Sequence, residues 1–416
     1  MKAKRQHTEE EKAKIRAAKQ ATALRHSSMV VKCYELKINA KRLNKKQINQ
    51  LNMIFLEGKW LYNNILSYKK SNEIPLNLIN PTNYSEVEVF DKDRNKVVKQ
   101  LEFLPSHYKQ TIHARMISNE KTIRSLVKQG LQIHGSLKFK SELSCIPLKT
   151  GDWLFKSKNK VKIMGVSGHV LVYGIDQFNQ DEVEFANANL VHRPTGFFLK
   201  ITTYINKDKI KKIEKNNKDI GLDFGVKTTL TTSEDEKIDI SVGESDRTKI
   251  LQKKLARQKK GSKNRWKTIK KLRVSYQKST NKKRDIANKF IHKMKSYKHV
   301  IFQDDAINEW HSDDGNENKG KRRKVQHSCL GLIKAKLKAM DNSVVIAKFI
   351  PTSKFCRKCG SIKNDLTLKD RIYECHCGHV ENRDVHAAKN ILWIWKKLQE
   401  ENLVPMDGRE VKLEDW

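Results

Sequence analysis

The chain has 416 residues, enough for two to three domains at roughly 150 residues each. Its 85 Lys and Arg outnumber its 47 Asp and Glu, for a formal net charge of +38. Such a charge works against a compact state unless a polyanion balances it, and nucleic acid is the commonest polyanion. No run approaches the roughly 18 apolar residues of a membrane span, and recurring apolar and aromatic residues exclude a wholly disordered chain.

Taken in chain order, residues 1–28 alternate charge, lack an apolar core segment and read as an exposed basic helix. Residues 29–39 alternate apolar and polar and predict a strand. Residues 42–70 carry Leu43, Ile48, Leu51, Ile54, Leu56, Trp60, Leu61 and Ile65 at helical spacing. A second helix is predicted over 106–134, with Ser106 as its N-cap. From 136 to 206 the texture turns to β-type runs separated by Gly and polar turns. This order predicts a small β-barrel interrupted by helices. Residues 219–242 predict two antiparallel strands, 245–298 one or two long helices, and 298–305 a strand. A basic loop (312–324) precedes a helix (326–341) opened by Gln326, His327 and Ser328. A strand (342–350), a cysteine segment (355–379) and a helix (384–399) complete an α/β or α+β region.

The seven cysteines do not form a disulfide framework. An intracellular, reducing, cytoplasmic setting is the expectation. Cys356-x2-Cys359 is followed after fifteen residues by Cys375-x-Cys377. Two close thiolate pairs suit one tetrahedral, structural Zn²⁺ with no open position. Gly360 and Gly378 follow the pairs, where a knuckle turn needs positive φ. The second pair is one residue short of the usual spacing, so His376 and His379 stand as substitute ligands.

Three sets of acids end strands or open helices. Asp223 sits in the apolar run IGLDFG, Asp304 and Asp305 follow VIFQ, and Asp384 opens VHAAKNILWIW. A charge in such a run is costly unless it faces a polar site or a metal. Three converging acids suit a pair of divalent ions for phosphodiester cleavage. Each also has an ordinary reading: an edge residue, a turn, an N-cap.

Between Arg247 and Lys298 there are 21 Lys and Arg and a single acid, Asp285. Neighbouring pairs on a helix cannot balance that. Phosphates are the expected counter-charges of Lys253, Lys254, Arg257, Lys259, Lys260, Lys263, Arg265, Lys267, Lys270 and Lys271. Trp266 and Tyr276 lie among them, to stack on bases or pack on the domain. His327 reads as a phosphate, backbone or capping contact, not a catalytic base.

Four blocks together carry a family resemblance: GLDFGVK at 221–227, FQDDAINEW at 302–310, TSKFCRKCG at 352–360 and NRDVHAAKNIL at 382–392. In order and spacing they resemble the TnpB family of transposon-encoded nucleases and the related miniature type V CRISPR effectors, which are Cas12-like. The resemblance implies an RNA-guided, metal-dependent DNA endonuclease with guide RNA and double-stranded target DNA bearing a short flanking motif as partners. It implies a RuvC domain of the ribonuclease H fold, preceded by a wedge-like β-barrel with a helical recognition lobe. Asp223 matches the first RuvC acid and Asp384 the third. The family commonly has Glu where this chain has Gln303. A sub-branch places the acid two residues later, which strand alternation supports, so Asp305 is the expected second acid and Asp304 the reserve. Mg²⁺, two ions, is the expected catalytic metal because the ligands are all oxygen. Size makes a homodimer on one guide RNA an option.

The expected fold class is therefore α+β multidomain. Its parts are the helix at 1–28, the wedge barrel at 29–210 with a recognition lobe at about 40–135, and a RuvC first part at 211–350. That part carries the basic helices 245–298. A zinc ribbon at 351–381, the last RuvC motif at 382–400 and a tail at 401–416 follow. The competing functions are a nuclease-weak or nuclease-dead RNA-guided regulator, a zinc-ribbon nucleic-acid-binding protein without catalysis, and a strand-joining recombinase.

Overall fold

The chain divides into two units, Met1–Lys211 and Lys212–Trp416. The computed structural model describes residues 8–416 except 92, 94, 132–134, 211–212, 227–228, 308–309, 311–318, 349, 368–369, 401–409 and 412–416.

In the first unit, α1 (Glu9–Ser27) opens with a capping box. The Thr8 hydroxyl accepts from the Glu11 amide and the Glu11 carboxylate from the Thr8 amide, both at 3.2 Å. No residue of α1 is buried. β1 (Met29–Ile38) follows. A reciprocal Asn44–Gln47 box starts α2 (Lys45–Asn72), which buries one apolar face including Leu51, Ile54, Leu61 and Ile65. β2 (Glu86–Phe90) and β3 (Lys96–Gln100) form a hairpin inside the segment expected to be a helical lobe. Their charged, mostly exposed alternation left little apolar signal.

α3 (Ser106–Lys128) starts at Ser106 itself. Ser106 is therefore not the N-cap. Pro105 holds that position without a side-chain bond, and the buried Glu57 carboxylate instead accepts from the Phe103 and Leu104 amides at 2.8 Å. Residues 132–134 of the expected helix lie outside the described residues.

β4 (Cys145–Leu148), β5 (Trp153–Ser157), β6 (Lys160–Ile163), β7 (Val170–Tyr173), β8 (Val183–Arg193) and β9 (Gly196–Asn206) join β1 in a seven-stranded, nearly closed barrel-like sheet of order β4-β8-β9-β1-β7-β6-β5. Its inward residues, such as Leu36, Ile38, Leu199 and Ile201, share one core with the apolar face of α2.

The second unit opens with β10 (Asp219–Phe224), β11 (Leu230–Thr232) and β12 (Lys237–Ile238). These are three antiparallel strands where two were expected. The basic segment forms α4 (Asp246–Arg257) and α5 (Lys263–Met294), followed by β13 (His299–Gln303). The helix expected over 326–341 is two helices, α6 (Lys319–His327) and α7 (Leu330–Leu337). Gln326 and His327 therefore close a helix instead of opening one. Of the expected basic loop, 312–318 lie outside the described residues and the rest is α6. β14 (Ser343–Ile346), the hairpin of β15 (Ile372–Glu374) and β16 (Val380–Asn382), and α8 (Arg383–Glu400) complete the order. Of the expected tail, only β17 (Glu410–Val411) is described.

The six-stranded sheet runs β12-β11-β10-β13-β14-β17, with β10, β13 and β14 mutually parallel. Parallel neighbours need crossovers, which α4–α5 and α6–α7 supply. Both faces are covered, which explains the near-continuous apolar runs. Ile220, Leu222, Val300 and Phe302 face a core with α5 and α7 residues Phe290, Met294, Ile333 and Leu337. The alternate Ile301, Val344 and Ile346 face Ile391, Ile394 and Trp395 of α8.

Gly221 lets α8 sit on β10: a Cβ there would lie 2.2 Å from the Ala388 carbonyl oxygen and 3.0 Å from the Leu392 amide. Both contacts are backbone and cannot rotate away. Gly221→Ala is expected to destabilise this unit by about 3 kcal/mol, the upper range for overpacking, read as a shift of its urea midpoint. An unchanged midpoint would show that the helix can move off the strand.

Candidate active site

Strand alternation decides which side chains meet. Gly221 faces α8, so Asp223, two residues on, points to the same side. Ile301 faces α8 as well, and the same parity carries Gln303 and, two residues past the strand end, Asp305 to that side. Asp384 lies in the first turn of α8. Asp223, Asp305 and Asp384 accordingly line one cavity of about 670 Å³, together with Arg371, Arg383 and Lys324. Asp304 has the opposite parity. Its carboxylate meets Lys334 at 2.5 Å and Lys338 at 2.8 Å, on and just beyond α7.

The electrostatics separate these acids further. Burial raises the Asp223 carboxyl well above its ordinary range, and the nearby Asp305 and Asp384 carboxylates add to it against the Arg383 guanidinium. Burial pushes Asp305 up to about 6, although Lys334 opposes it. Asp304 is held low by Lys334 and Lys338 despite its partial burial. Among the described residues, the carboxylates of Asp223, Asp305 and Asp384 accept no hydrogen bond. Half-buried, unpaired carboxylates drawn together from three elements favour a bound cation, and an all-oxygen set suits a hard divalent ion. Their oxygens are not among the groups that lie mutually within 4.8 Å. The ordinary N-cap reading of Asp384 does not describe it, since the α8 capping bond runs from the Val385 amide to Asn382 Oδ1 at 3.4 Å.

Gln303 has a different task. It is buried, and its amide Nε2 donates to the carbonyls of Ala347, Lys348 and Ile350 at 3.0, 3.1 and 2.7 Å. Its Oε1 accepts from the Thr352 hydroxyl at 2.9 Å. From α8, Asn390 Nδ2 donates to the Thr352 and Phe355 carbonyls, both at 2.7 Å. His386 Nε2 lies 2.8 Å from the same Phe355 oxygen. The segment 347–355 is thus gripped from the strand that leads to Asp305 and from the helix that carries Asp384. These gripping residues, and Arg371 and Arg383 at the cavity, were not picked out from the sequence. The HAAKN run held the signal: polar residues four apart on an otherwise apolar helix face.

The segment 347–355 leads into the cysteine knuckles. Cys356, Cys359, Cys375 and Cys377 place their sulfurs within 4.8 Å of one another. Two of the separations are 3.7 and 3.5 Å. A zinc ion with Zn–S bonds of about 2.3 Å sets tetrahedral sulfurs about 3.8 Å apart, so the set fits one such ion. Gly360 and Gly378 have φ of 77° and 80°, the left-handed turn expected after each pair. Hydrogen bonds from the Cys377 backbone and the Ser361 hydroxyl lower the Cys375 thiol, whereas, against a hydrogen bond from the His379 backbone, burial and the neighbouring Cys359, Cys375 and Cys356 raise that of Cys377.

His376 and His379 are not part of this group. His379 instead gathers with Glu381 and His386. There Arg357 and Lys389 already hold the Glu381 carboxylate, at 2.7 and 2.9 Å. Against the effect of its burial they pull it down to about 2. Burial pushes His386 down to about 4, so it stays neutral. This is a structural ion-pair network that ties the knuckle to α8.

On the basic helices, Lys253, Lys254, Arg257, Lys259, Lys260, Lys263, Lys267, Lys270 and Lys271 are exposed, and none has an ion-pair partner among the described residues. Arg265 differs: it donates to the Leu255 and Gln258 carbonyls at 2.5 and 3.1 Å and closes the end of α4. Trp266 is exposed. Tyr276 accepts a hydrogen bond from Gln252 at 3.0 Å.

A family described as Cas12f1-like, TNB domain, matches residues 329–391, which contain the four clustered cysteines and Asp384. A protein of Streptomyces pristinaespiralis named as an RNA-guided DNA endonuclease is 29% identical over 186 residues, 42% of this chain and 44% of that protein. A protein of Paramecium bursaria Chlorella virus 1 named as a transposase is 52% identical over 44 residues, 11% of this chain and 10% of that protein. The matches thus span less than half the length of these curated relatives. A cryo-EM structure titled as a Cas12f1-sgRNA-target DNA complex aligns with 88% of this chain and 99% of its own, at 13% identity and a TM-score of 0.47. No helix among the described residues is long and apolar enough to cross a membrane.

Gln303→Glu restores an acid at the position where one is common, but a carboxylate cannot donate to three carbonyls. The substitution is expected to destabilise the unit by about 2–4 kcal/mol through unpaired carbonyls and a buried charge, read by urea or thermal unfolding. A variant as stable as the parent would show that the grip on 347–352 is dispensable.

Proposed function

We propose that this chain, a relative of the TnpB and Cas12-like nucleases, is an RNA-guided DNA endonuclease that hydrolyses phosphodiester bonds at the Asp223–Asp305–Asp384 cavity. The observation that carries this reading is the cavity itself. Three unpaired carboxylates reach it from β10, the end of β13 and the start of α8, while the neighbouring Asp304 is neutralised elsewhere. Three parallel strands with an antiparallel extension at one edge and helices on both faces support a ribonuclease H-like, RuvC-type domain.

When bound, a pair of Mg²⁺ ions supplies the positive charge that stabilises the attacking and leaving oxygens of the displacement. Asp223, Asp305 and Asp384 are the groups that would hold them. Arg371 and Arg383, also at the cavity, attract the backbone phosphates of the substrate. Arg383 is steadied by its bond to the Thr367 carbonyl at 2.6 Å, so its charge is fixed in place before DNA arrives. The nine exposed cations of α4, α5 and the turn between them balance further phosphates of the guide RNA and the target duplex. A structural Zn²⁺ on the four cysteines keeps the knuckle folded.

A guided plasmid-cleavage assay with Mg²⁺ tests the site. Asp223→Ala, Asp305→Ala and Asp384→Ala are expected to abolish cleavage while sparing guided DNA binding. Asp304→Ala is expected to lose no more than about tenfold, because its carboxylate stands outside the metal set. Inactivity of Asp304→Ala alone would mean that the second acid is Asp304.

Metal analysis tests the knuckle. The purified protein is expected to carry one zinc per chain, and Cys375→Ser to lose it with local unfolding. Substitution of Cys33, Cys145 or Cys329 is expected to leave the zinc content unchanged. Zinc-free protein from a zinc-supplemented preparation would overturn the assignment.

A further inference from the structure

In the first unit, α2, the β2–β3 hairpin and the segment before β4 enclose a cavity of about 440 Å³. Its lining includes Trp60 and Lys59 of α2, Phe90 and Lys96 of the hairpin, and Phe139. Phe90 is 70% and Phe139 54% exposed. Among the described residues, neither ring meets another aromatic ring. Two bare phenyl rings facing one cavity leave a large apolar area in water, which marks a contact surface when charged residues rim it.

The two ring-bearing segments are held in place by adjacent residues of α2. Asn64 donates to the Glu88 carbonyl at 2.7 Å and accepts from the Glu88 amide at 3.1 Å, pinning the hairpin two residues from Phe90. Asn63 does the same to the residue next to Phe139: it donates to the Lys140 carbonyl and accepts from the Lys140 amide, both at 2.9 Å. Each asparagine uses both ends of its amide on one backbone residue. The backbone beside each ring is therefore fixed relative to one helix before any ligand arrives, which lowers the ordering cost of binding.

Cations surround them. Lys70 Nζ stands 5.0 Å from the centre of the Phe139 ring, and Lys140 Nζ 4.3 Å from that of Tyr62. Lys59 and Lys96 line the cavity, the latter shared with Glu88 at 3.2 Å. A second cavity of about 320 Å³ also touches Phe139, with Arg115 and Lys140 in its lining. The complementary ligand is flat, has a π face and carries negative charge along its length. A base inside a duplex already has both faces covered, so the fit is to an unpaired one.

We infer that the Trp60–Phe90–Phe139 cavity stacks an unpaired nucleotide, with its backbone phosphates beside Lys59, Lys70 and Lys140. This rests on the nucleic-acid-binding reading of the chain and assigns a separate site to its first unit.

The test uses the full chain and single-stranded ten-nucleotide RNA and DNA oligonucleotides, each in a base-bearing and an abasic form, followed by fluorescence anisotropy. The RNA and DNA arms identify which strand the site takes. Phe139→Leu and Phe90→Leu are each expected to weaken binding of the base-bearing strand about tenfold, roughly one lost stacked base. Phe139→Tyr and Phe90→Tyr are expected to stay within about twofold of the parent, and abasic strands to bind every variant alike. Photocrosslinking of a 5-iodouracil oligonucleotide should map to the peptide holding Phe90 or Phe139. Equal affinities for the base-bearing strand, an equal loss on abasic strands, or crosslinks only to other peptides would overturn the inference. Absence of any salt-sensitive binding to these strands or to a guide RNA would instead remove the proposed function beneath it.

Discussion

The carbonyls of Ala347, Lys348, Ile350, Thr352 and Phe355 point at side chains that are themselves buried. Gln303 takes those of Ala347, Lys348 and Ile350, Asn390 takes those of Thr352 and Phe355, and His386 shares the last. A buried carbonyl left unpaired costs about 1–3 kcal/mol, so this segment is pinned where it lies. It connects the sheet to the cysteine knuckles, and its grips come from β13 and α8. The relative placement of Asp305 and Asp384 depends on that grip. A neutral amide suits the task because its two N–H groups, one of them shared between two carbonyls, reach all three acceptors without a counter-charge, whereas a carboxylate at 303 would bring repulsion from the carbonyls and from Asp223.

The same logic of close approach governs β10. Gly221 admits the backbone of α8 where any Cβ would collide, and that contact carries Asp384 toward Asp223. Burial raises the carboxyls of Asp223 and Asp305, and at Asp223 the nearby Asp305 and Asp384 add to it. Three half-buried acids at one cavity, accepting no hydrogen bond among the described residues, are a set whose charge a divalent cation would balance. Around them the chain is strongly cationic, and nine exposed cations between Lys253 and Lys271 have no ion-pair partner among the described residues. The acid cavity thus belongs to a chain whose exposed positive charges attract polyanions.

The polar networks nearby are not interchangeable with metal sites. His379, Glu381 and His386 have the residue types and the spacing of a metal centre, but Arg357 and Lys389 already neutralise the carboxylate. Among the described residues the four cysteines have no such cations on their sulfurs, and their separations suit a tetrahedral ion. Charge balance, more than residue type, distinguishes the two clusters.

The sequence by itself determined the elements with strong local signals. The apolar stripe of α2, the continuous runs of β10 and β13, the spacing of the cysteines and the cationic block at 247–298 were all legible because each rests on neighbours within one helix turn, strand or loop. Strand alternation even placed Asp305 on the side of Gln303, and in the structure both line the cavity while Asp304 turns to Lys334 and Lys338. The tertiary structure alone decided what those residues meet. The β2–β3 hairpin buries Val87 and is pinned by Asn64, and α3 begins at Ser106 with Pro105 in the cap position, while Glu57, distant in sequence, takes the Phe103 and Leu104 amides. The helix expected at 326–341 breaks at 328–329. Gln303 read as a missing acid; its role as a donor to three carbonyls forty-four or more residues away depends on contacts that periodicity cannot encode, because hydrogen-bond partners across a fold are set by the packing of whole elements and not by local spacing.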